Sequence, residues 1–147
     1  MTHNIRLATL EDKESLLALM QDHARYEGHE LQITNQGDAL TNMESLPITI
    51  FVVEFQQRLL GYMSVVKQFS TWDMDWYLYL DCLYLTEETR GKGIGLELMQ
   101  LLQNYAKQNQ IQSMQWQTPI ENESAIGFYQ KLKAVNKQKQ RFFWPVF

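Results

Sequence analysis

Six consecutive residues, Arg90-Gly91-Lys92-Gly93-Ile94-Gly95, combine three glycines with two cations and indicate anion binding. They follow a strand-like run and precede a helix-like run, so several backbone N–H groups lie at a helix N-terminus without intrahelical acceptors. Glycine permits positive φ angles and close approach of the backbone to a ligand, and the two cations add positive charge near it. The segment predicts a phosphate-binding turn, with a purely structural turn as the alternative.

Spacing separates the phosphate-binding patterns that such a turn could serve. A nucleotide P-loop needs Lys and Ser/Thr after its last glycine, whereas Leu96 and Glu97 follow Gly95. A dinucleotide fingerprint needs a third glycine where Leu96 stands and an acid about 20 residues later. Apart from Glu97, no acid occurs before Glu121. Both patterns are excluded.

A third pattern resembles the GNAT superfamily of N-acetyltransferases. Its Gln/Arg-x-x-Gly-x-Gly/Ala motif is matched by Arg90, Gly93 and Gly95, and its later Asn-x-x-Ala-x-x-Phe-Tyr motif by Asn122, Ala125, Phe128 and Tyr129. The resemblance implies an α/β GNAT fold, in which a mixed, mostly antiparallel sheet carries helices on both faces and its fourth and fifth strands splay apart. It also implies transfer of an acetyl group from acetyl-CoA to an amine, by direct attack in a ternary complex.

The resemblance implies a set of cofactor contacts as well. The backbone of Leu83 and Leu85 would pair with the pantetheine arm like an added strand, and Tyr84 between them would belong to the same cofactor contact. The pyrophosphate would be held by Arg90, Gly91, Lys92, Gly93, Ile94, Gly95 and Leu96, and Asn122 and Tyr129 would contact the cofactor too. An unpaired N–H of the splayed strand could stabilise the oxyanion of acyl transfer.

Acetylation of an alkylamine also requires proton transfer, because such an amine has an ordinary pKa of about 10.4. The family commonly places a tyrosine near the cofactor sulfur, which makes Tyr129 the candidate general acid; a core aromatic is the alternative. Asp81 interrupts an apolar strand and is the candidate base, with an exposed strand carboxylate as the alternative. Strand alternation predicts that Asp81 shares a face with Leu83 and Leu85, opposite Cys82.

A narrower resemblance is to the diamine (spermidine/spermine-type) acetyltransferases. Arg25-Tyr26-Glu27 looks like the Lys-Tyr-Glu segment of that branch, and Tyr79-Leu80-Asp81-Cys82 like its Tyr-Leu-Glu-Asp. Cys82 replaces one acid. The predicted pocket for a cationic amine contains Tyr26, Glu27, Trp72, Asp73, Asp75 and Asp81, which act through charge pairing and cation–π contact. Solvated loop groups and a buried indole are the alternative.

Hydrophobic periodicity predicts the elements that position these residues. Strands are expected over residues 5–10, 48–55, 59–69, 76–85, 111–117 and 141–147. A helix capped by Thr9 and Asp12 runs to about Tyr26, with a buried stripe of Leu16, Leu17, Met20 and Ala24. A short helix over 38–43, one after the glycine turn and one after the N-cap Asn122 complete a single domain, residues 1–147.

Composition restricts the function classes. Residues 1–89 carry 14 Asp/Glu against 5 Lys/Arg, and residues 90–147 carry 3 against 8, which suits a cationic ligand in the first part and a phosphate in the second. The acidic total and the lack of a long basic stripe disfavour nucleic acid. No apolar run predicts a signal peptide or membrane span, so a cytoplasmic protein is expected. The lone Cys82 and the spacing of His3, His23 and His29 predict no metal site.

Two alternatives to a small-amine acetyltransferase remain open. One is a protein or peptide N-acetyltransferase, which demands an open groove. The other is a non-catalytic CoA-binding sensor or interaction module. A homodimer is expected because the aromatic ending, Phe142, Phe143, Trp144 and Phe147, is rich in interface-type residues, although these could be core.

Overall fold

Five strands in sequential order form the sheet, β1-β2-β3-β4-β5. The computed structural model describes residues 2–29 and 35–147. The chain divides after Trp116 into two compact units. The strands are β1 (Asn4–Leu7), β2 (Thr49–Phe55), β3 (Arg58–Ser70), β4 (Asp75–Leu85) and β5 (Met114–Trp116). Neighbours among β1 to β4 are antiparallel, whereas β4 and β5 are parallel. The mixed, mostly antiparallel sheet is therefore confirmed.

Three α-helices accompany the sheet: α1 (Lys13–Tyr26), α2 (Ile94–Gln108) and α3 (Glu123–Lys131). Short 3₁₀ helices cover Leu10–Asp12, Asn35–Ser45 and Glu87–Thr89, so the short helix expected near residues 38–43 is present in 3₁₀ form. No helix in the described ranges has both the length and the apolar character needed to cross a bilayer.

Alternating side chains of β2 place one helix on each face of the sheet. Ile50 and Val52 pack with Leu16 and Leu19 of α1. On the other face, Phe51 contacts Tyr105 of α2 edge-on, with ring centroids 5.6 Å apart. The predicted α1 stripe is partly wrong: Leu19 is buried with Leu16, while Leu17, Met20 and Ala24 are only partly buried. The buried stripe consequently continues towards His23.

An ion-pair cluster fixes β1 to the start of α1. Arg6 donates to both carboxylate oxygens of the buried Asp12, at 2.8 and 2.9 Å, and to Glu54 of β2 at 2.7 Å. The Thr9 N–H also donates to Asp12, at 2.7 Å, as the capping pattern predicts. The Arg6 hydrogen bonds hold the pKa of Asp12 below its usual range, although desolvation acts in the opposite direction.

Asp12→Asn is expected to lower the free energy of unfolding by about 2 kcal/mol at neutral pH, because it removes a carboxylate bonded to a guanidinium. Since the folded pKa is depressed, this stabilisation is complete above the unfolded pKa of about 3.9 and is lost as pH falls through the folded pKa. Urea unfolding at a series of pH values measures this free energy. Glu11→Gln, at the exposed neighbouring residue, is the control. If the free energy of unfolding depended on pH in the same way in both variants, the role of Asp12 would be contradicted.

Two sequence predictions at the C-terminal side need correction. β5 spans three residues rather than 111–117, and residues 134–147 contain no strand. A strand requires hydrogen bonds to a neighbouring strand, and β propensity cannot replace them. In the second unit, the Asn122 side chain accepts from the Ala125 N–H at 3.1 Å and caps α3, as predicted.

Candidate functional site

The glycine turn leaves open space at the N-terminus of α2. Gly91 and Gly93 have φ angles of +75° and +80°, and a Cβ added to either would meet no atom within 4 Å. Gly93 is the N-cap of α2 and supplies no side-chain cap. Free N–H groups at a helix N-terminus, with space in front of them, fit a diphosphate. The residues present therefore suit the phosphate part of a CoA-type ligand.

The open edge of β4 adjoins this turn. β5 pairs only with Leu78, Tyr79 and Leu80, so within the first unit no described strand continues along that side of β4. The Thr86 N–H donates towards β3, to Leu60. Backbone N–H and C=O groups of successive residues point to opposite sides of a strand. Those of Leu85 and Leu83 therefore point to the open side of β4. These are the two residues whose backbone is expected to pair with pantetheine. The short pairing between β4 and β5 also confirms the predicted splay of the fourth and fifth strands.

Asp81 is the extra residue of a β-bulge. Val65 is opposite Leu80 and Ser64 is opposite Cys82, which leaves Asp81 unpaired in the register. Its carboxylate accepts from the hydroxyl of Ser64, at 3.3 Å, and Ser64 is the residue that lies opposite Cys82. The predicted separation of Asp81 and Cys82 onto opposite faces is therefore wrong, because the additional residue breaks the alternation. Asp81 is exposed, which leaves its carboxylate accessible to an acceptor.

Arg90 links the glycine turn to the α1 side of the sheet. Its Nε donates to the Leu85 carbonyl at 3.1 Å. Its guanidinium lies 4.5 Å from the ring centroid of Tyr26 and 5.7 Å from that of Tyr84. The side chain thus contacts two of the predicted ligand-binding residues, and the Leu85 N–H stays available to an added strand.

A polar cluster on the α1 face lies beside Asp81. The Nδ1 of His23 is 2.8 Å from the Tyr62 hydroxyl, and its Nε2 is 3.4 Å from the Glu27 carboxylate. Two residues along β3 from Tyr62, Ser64 lies opposite Cys82. Sequence reasoning did not place His23 and Tyr62 in this cluster. The spacing of Leu16, Leu19 and His23 along one face of α1 was the signal available for the histidine.

Burial changes the acidity of two groups in this cluster. Desolvation, followed by the charge of Asp81, raises the pKa of the Cys82 thiol to about 11. Desolvation also raises the pKa of Tyr62, with Cys82, Asp81 and Glu27 adding to the effect. Both groups stay protonated at neutral pH, so Cys82 has little thiolate character for a nucleophile. Glu27 and Asp81 act on the same two side chains and therefore lie in one neighbourhood.

The structure does not bring every predicted acceptor residue to this neighbourhood. Trp72 lies in the turn between β3 and β4 and is 94% exposed. Asp75 begins β4, six residues before Asp81, which is about 20 Å along a strand. Trp72, Asp73 and Asp75 thus occupy the far end of the hairpin from Asp81.

Asn122 and Tyr129 belong to the second unit. Both lie on or beside α3, with Asn122 capping the helix. Tyr129 is half-buried, and its ring is 5.3 Å from that of Phe128. Across residues 2–29 and 35–147, no group of three or more His, Cys, Asp or Glu side chains is arranged to hold a metal ion.

Comparisons with known proteins identify the fold and the family. In a structural comparison, a possible acetyltransferase from Clostridium difficile 630 matches with a TM-score of 0.83 at 19% identity, covering 100% of this chain and 99% of that one. An aminoglycoside acetyltransferase from an uncultured soil metagenomic sample matches with a TM-score of 0.82 at 15% identity, covering 99% and 97%. These likenesses confirm the GNAT fold.

Sequence comparison carries the assignment further. A thialysine N-epsilon-acetyltransferase from Caenorhabditis elegans is 24% identical over 132 residues, which are 89% of this chain and 82% of that protein. The pattern described as the Acetyltransferase (GNAT) family matches residues 14–133, most of the chain. The turn at Gly91 and Gly93 and the open edge of β4 are consistent with this match. The chain therefore belongs to the GNAT acetyltransferase family and is an acetyl-transferring enzyme.

Proposed function

We propose that this enzyme acetylates a small cationic amine, such as a polyamine, a diamine or a related amino compound. The observation that carries the proposal is that two carboxylates reach the same face of β3. Glu27 lies 3.4 Å from His23, which lies 2.8 Å from the Tyr62 hydroxyl, and Asp81 accepts from Ser64, two residues along the strand from Tyr62. Tyr26 is 52% exposed and precedes Glu27 in the chain, and the Arg90 guanidinium covers one face of its ring. Two carboxylates attract a cation by charge, and the other face of the Tyr26 ring can add a cation–π contact.

Acetyl-CoA is the donor that the family uses. In this chain the turn from Arg90 to Leu96 would bind its diphosphate, and the Leu83 and Leu85 backbone, adjoining Tyr84, would pair with its pantetheine arm. Asn122 and Tyr129 would contact it as well. The open space at Gly91 and Gly93 and the free edge of β4 support these assignments.

Asp81 and Tyr129 are the groups we assign to proton transfer. The acceptor nitrogen forms a bond to the thioester carbonyl carbon as the bond from that carbon to sulfur breaks. Asp81 takes the proton that the amine loses, directly or through one water, and Tyr129 gives a proton to the departing thiolate. The exposure of Asp81 at the bulge supports its access to an incoming amine.

A panel of acceptors with detection of free thiol tests the proposal. Spermidine, putrescine, thialysine, aminoglycosides, amino acids and lysine peptides are supplied with acetyl-CoA, and we expect release of thiol with the small cationic amines. Exclusive use of peptides would favour a protein acetyltransferase. Binding of acetyl-CoA measured by calorimetry, with no thiol released by any amine, would favour a non-catalytic CoA-binding module.

We also propose that the enzyme is a homodimer. The C-terminal side chains Phe142, Phe143, Trp144 and Phe147 are between 79% and 116% exposed, an apolar surface that association would cover. Light scattering after size exclusion measures the mass. A monomer of 17.4 kDa at all concentrations would contradict the proposal.

A further inference from the structure

The His23 imidazole joins a buried hydroxyl to a half-exposed carboxylate. Its side chain is 16% exposed, against 36% for Glu27. Nδ1 lies 2.8 Å from the Tyr62 hydroxyl and Nε2 lies 3.4 Å from Glu27. The ring also stacks on Tyr84 of β4, with centroids 5.1 Å apart and planes inclined by 21°. The imidazole is therefore held by three contacts, with the Tyr62 hydroxyl, the Glu27 carboxylate and the Tyr84 ring, which restrict its orientation.

Strand β3 brings the second carboxylate close to Tyr62. Tyr62 is 3% exposed and lies opposite Tyr84. Two residues further along the same face, Ser64 lies opposite Cys82 and donates to Asp81 at 3.3 Å. The contacts of Glu27 and of Asp81 therefore meet β3 at the neighbouring positions Tyr62 and Ser64.

The partners of the ring favour one position for the imidazole proton. A carboxylate only accepts hydrogen bonds, so a hydrogen bond to Glu27, 3.4 Å from Nε2, needs a proton on Nε2. In the neutral ring Nδ1 is then an acceptor and receives the Tyr62 hydroxyl. Tyr62 can supply that proton because burial keeps it protonated. The neutral Nε2–H tautomer satisfies both partners at once.

We propose that His23 is a positioning residue of the acceptor site, which as its Nε2–H tautomer orients Glu27 towards the amine and holds the Tyr62 hydroxyl on the face of β3 that carries Ser64. This inference rests on the proposed acetylation of a cationic amine. His23 itself does not touch the reacting atoms. Its effect is on acceptor binding, because it determines where the Glu27 carboxylate lies.

The tautomer can be read directly from ¹⁵N-labelled protein by imidazole NMR. We expect the Nε2–H form for His23 in the wild type, and a mixture of both tautomers in Tyr62→Phe, which removes one oxygen atom. This measurement needs no acceptor, so it stands even if the proposed function fails. An Nδ1–H tautomer in the wild type, or an unchanged tautomer in Tyr62→Phe, would overturn the inference.

Kinetics test the consequence, with spermidine or thialysine as acceptor, whichever the panel shows to be acetylated. Tyr62→Phe and His23→Leu are expected to raise the acceptor KM about tenfold, the equivalent of one lost hydrogen bond. The KM for acetyl-CoA should stay unchanged. Tyr105→Phe, on the α2 face beside Phe51, is the matched control and should alter neither constant.

The comparison of the two KM values separates positioning from mere packing, because a packing defect would not act on the acceptor alone. If His23→Leu fails to fold, Tyr62→Phe still provides the comparison of KM values. Equal changes in both KM values, or no change in Tyr62→Phe, would contradict the inference. A wild type that acetylates no amine would refute the proposed function instead.

Discussion

Tyr129→Phe lowers kcat by about 100-fold or more, while the affinity for acetyl-CoA stays nearly unchanged; this is the largest effect that we expect. General acid catalysis typically contributes about 10² to 10⁴ in rate. The substitution removes the proton that we assign to the departing thiolate and keeps the aromatic ring that lies beside Phe128. Steady-state kinetics with thiol detection measure kcat, and calorimetry measures acetyl-CoA binding.

A packing role for Tyr129 predicts a different result. Loss of a hydroxyl that serves only α3 would lower the free energy of unfolding with kcat retained, so an unchanged kcat would remove Tyr129 from the mechanism. Tyr105→Phe removes a hydroxyl from α2, in the first unit, and controls for the general effect of the substitution. A loss of acetyl-CoA affinity equal to the loss of kcat would assign Tyr129 to cofactor binding alone.

Gly93→Ala has the second large expected effect, on acetyl-CoA rather than on kcat. At a φ of +80° the alanine strains the backbone by about 1 kcal/mol or more. Its methyl group also extends into the open space that we assign to the diphosphate, at the N-cap of α2. Together these effects should weaken acetyl-CoA binding by at least about tenfold, since 1.4 kcal/mol corresponds to one order of magnitude.

Gly28→Ala provides a matched control for Gly93→Ala. Gly28 has the same φ of +80°, and a Cβ there also meets no atom within 4 Å. Both variants should therefore lose similar stability in urea, whereas only Gly93→Ala should lose affinity for acetyl-CoA. If the two variants bind acetyl-CoA equally well, the turn at Gly93 does not hold the diphosphate, and the assignment of the cofactor site is wrong.

The relation between Asp81 and Cys82 shows where sequence reasoning stops. Alternation along a strand is a local rule, and it predicts opposite faces for neighbours. The register between β3 and β4 overrides it, because Ser64 and Val65 pair with Cys82 and Leu80 and leave Asp81 as an extra residue. A bulge depends on which residues of the partner strand lie opposite, and nothing within 76–85 specifies that.

Local patterns were sufficient to predict most of the elements and the glycine turn. The order of the first five strands, the helix after the glycines and the N-cap at Asn122 follow from hydrophobic period and from residues of special backbone geometry. Motif spacing alone excluded two phosphate-binding folds and selected the family that residues 14–133 match. Such features depend on residues within a few positions of each other, so they can be predicted from a single sequence.

Only the tertiary structure decided which side chains meet. The contact of His23 with Tyr62 joins residues 39 positions apart, and Ser64 reaches Asp81 across 17. The absence of a strand over residues 134–147 is equally non-local, because a strand forms only where a neighbour offers hydrogen bonds. Contacts of this kind depend on register and packing between distant segments, which hydrophobic period does not encode.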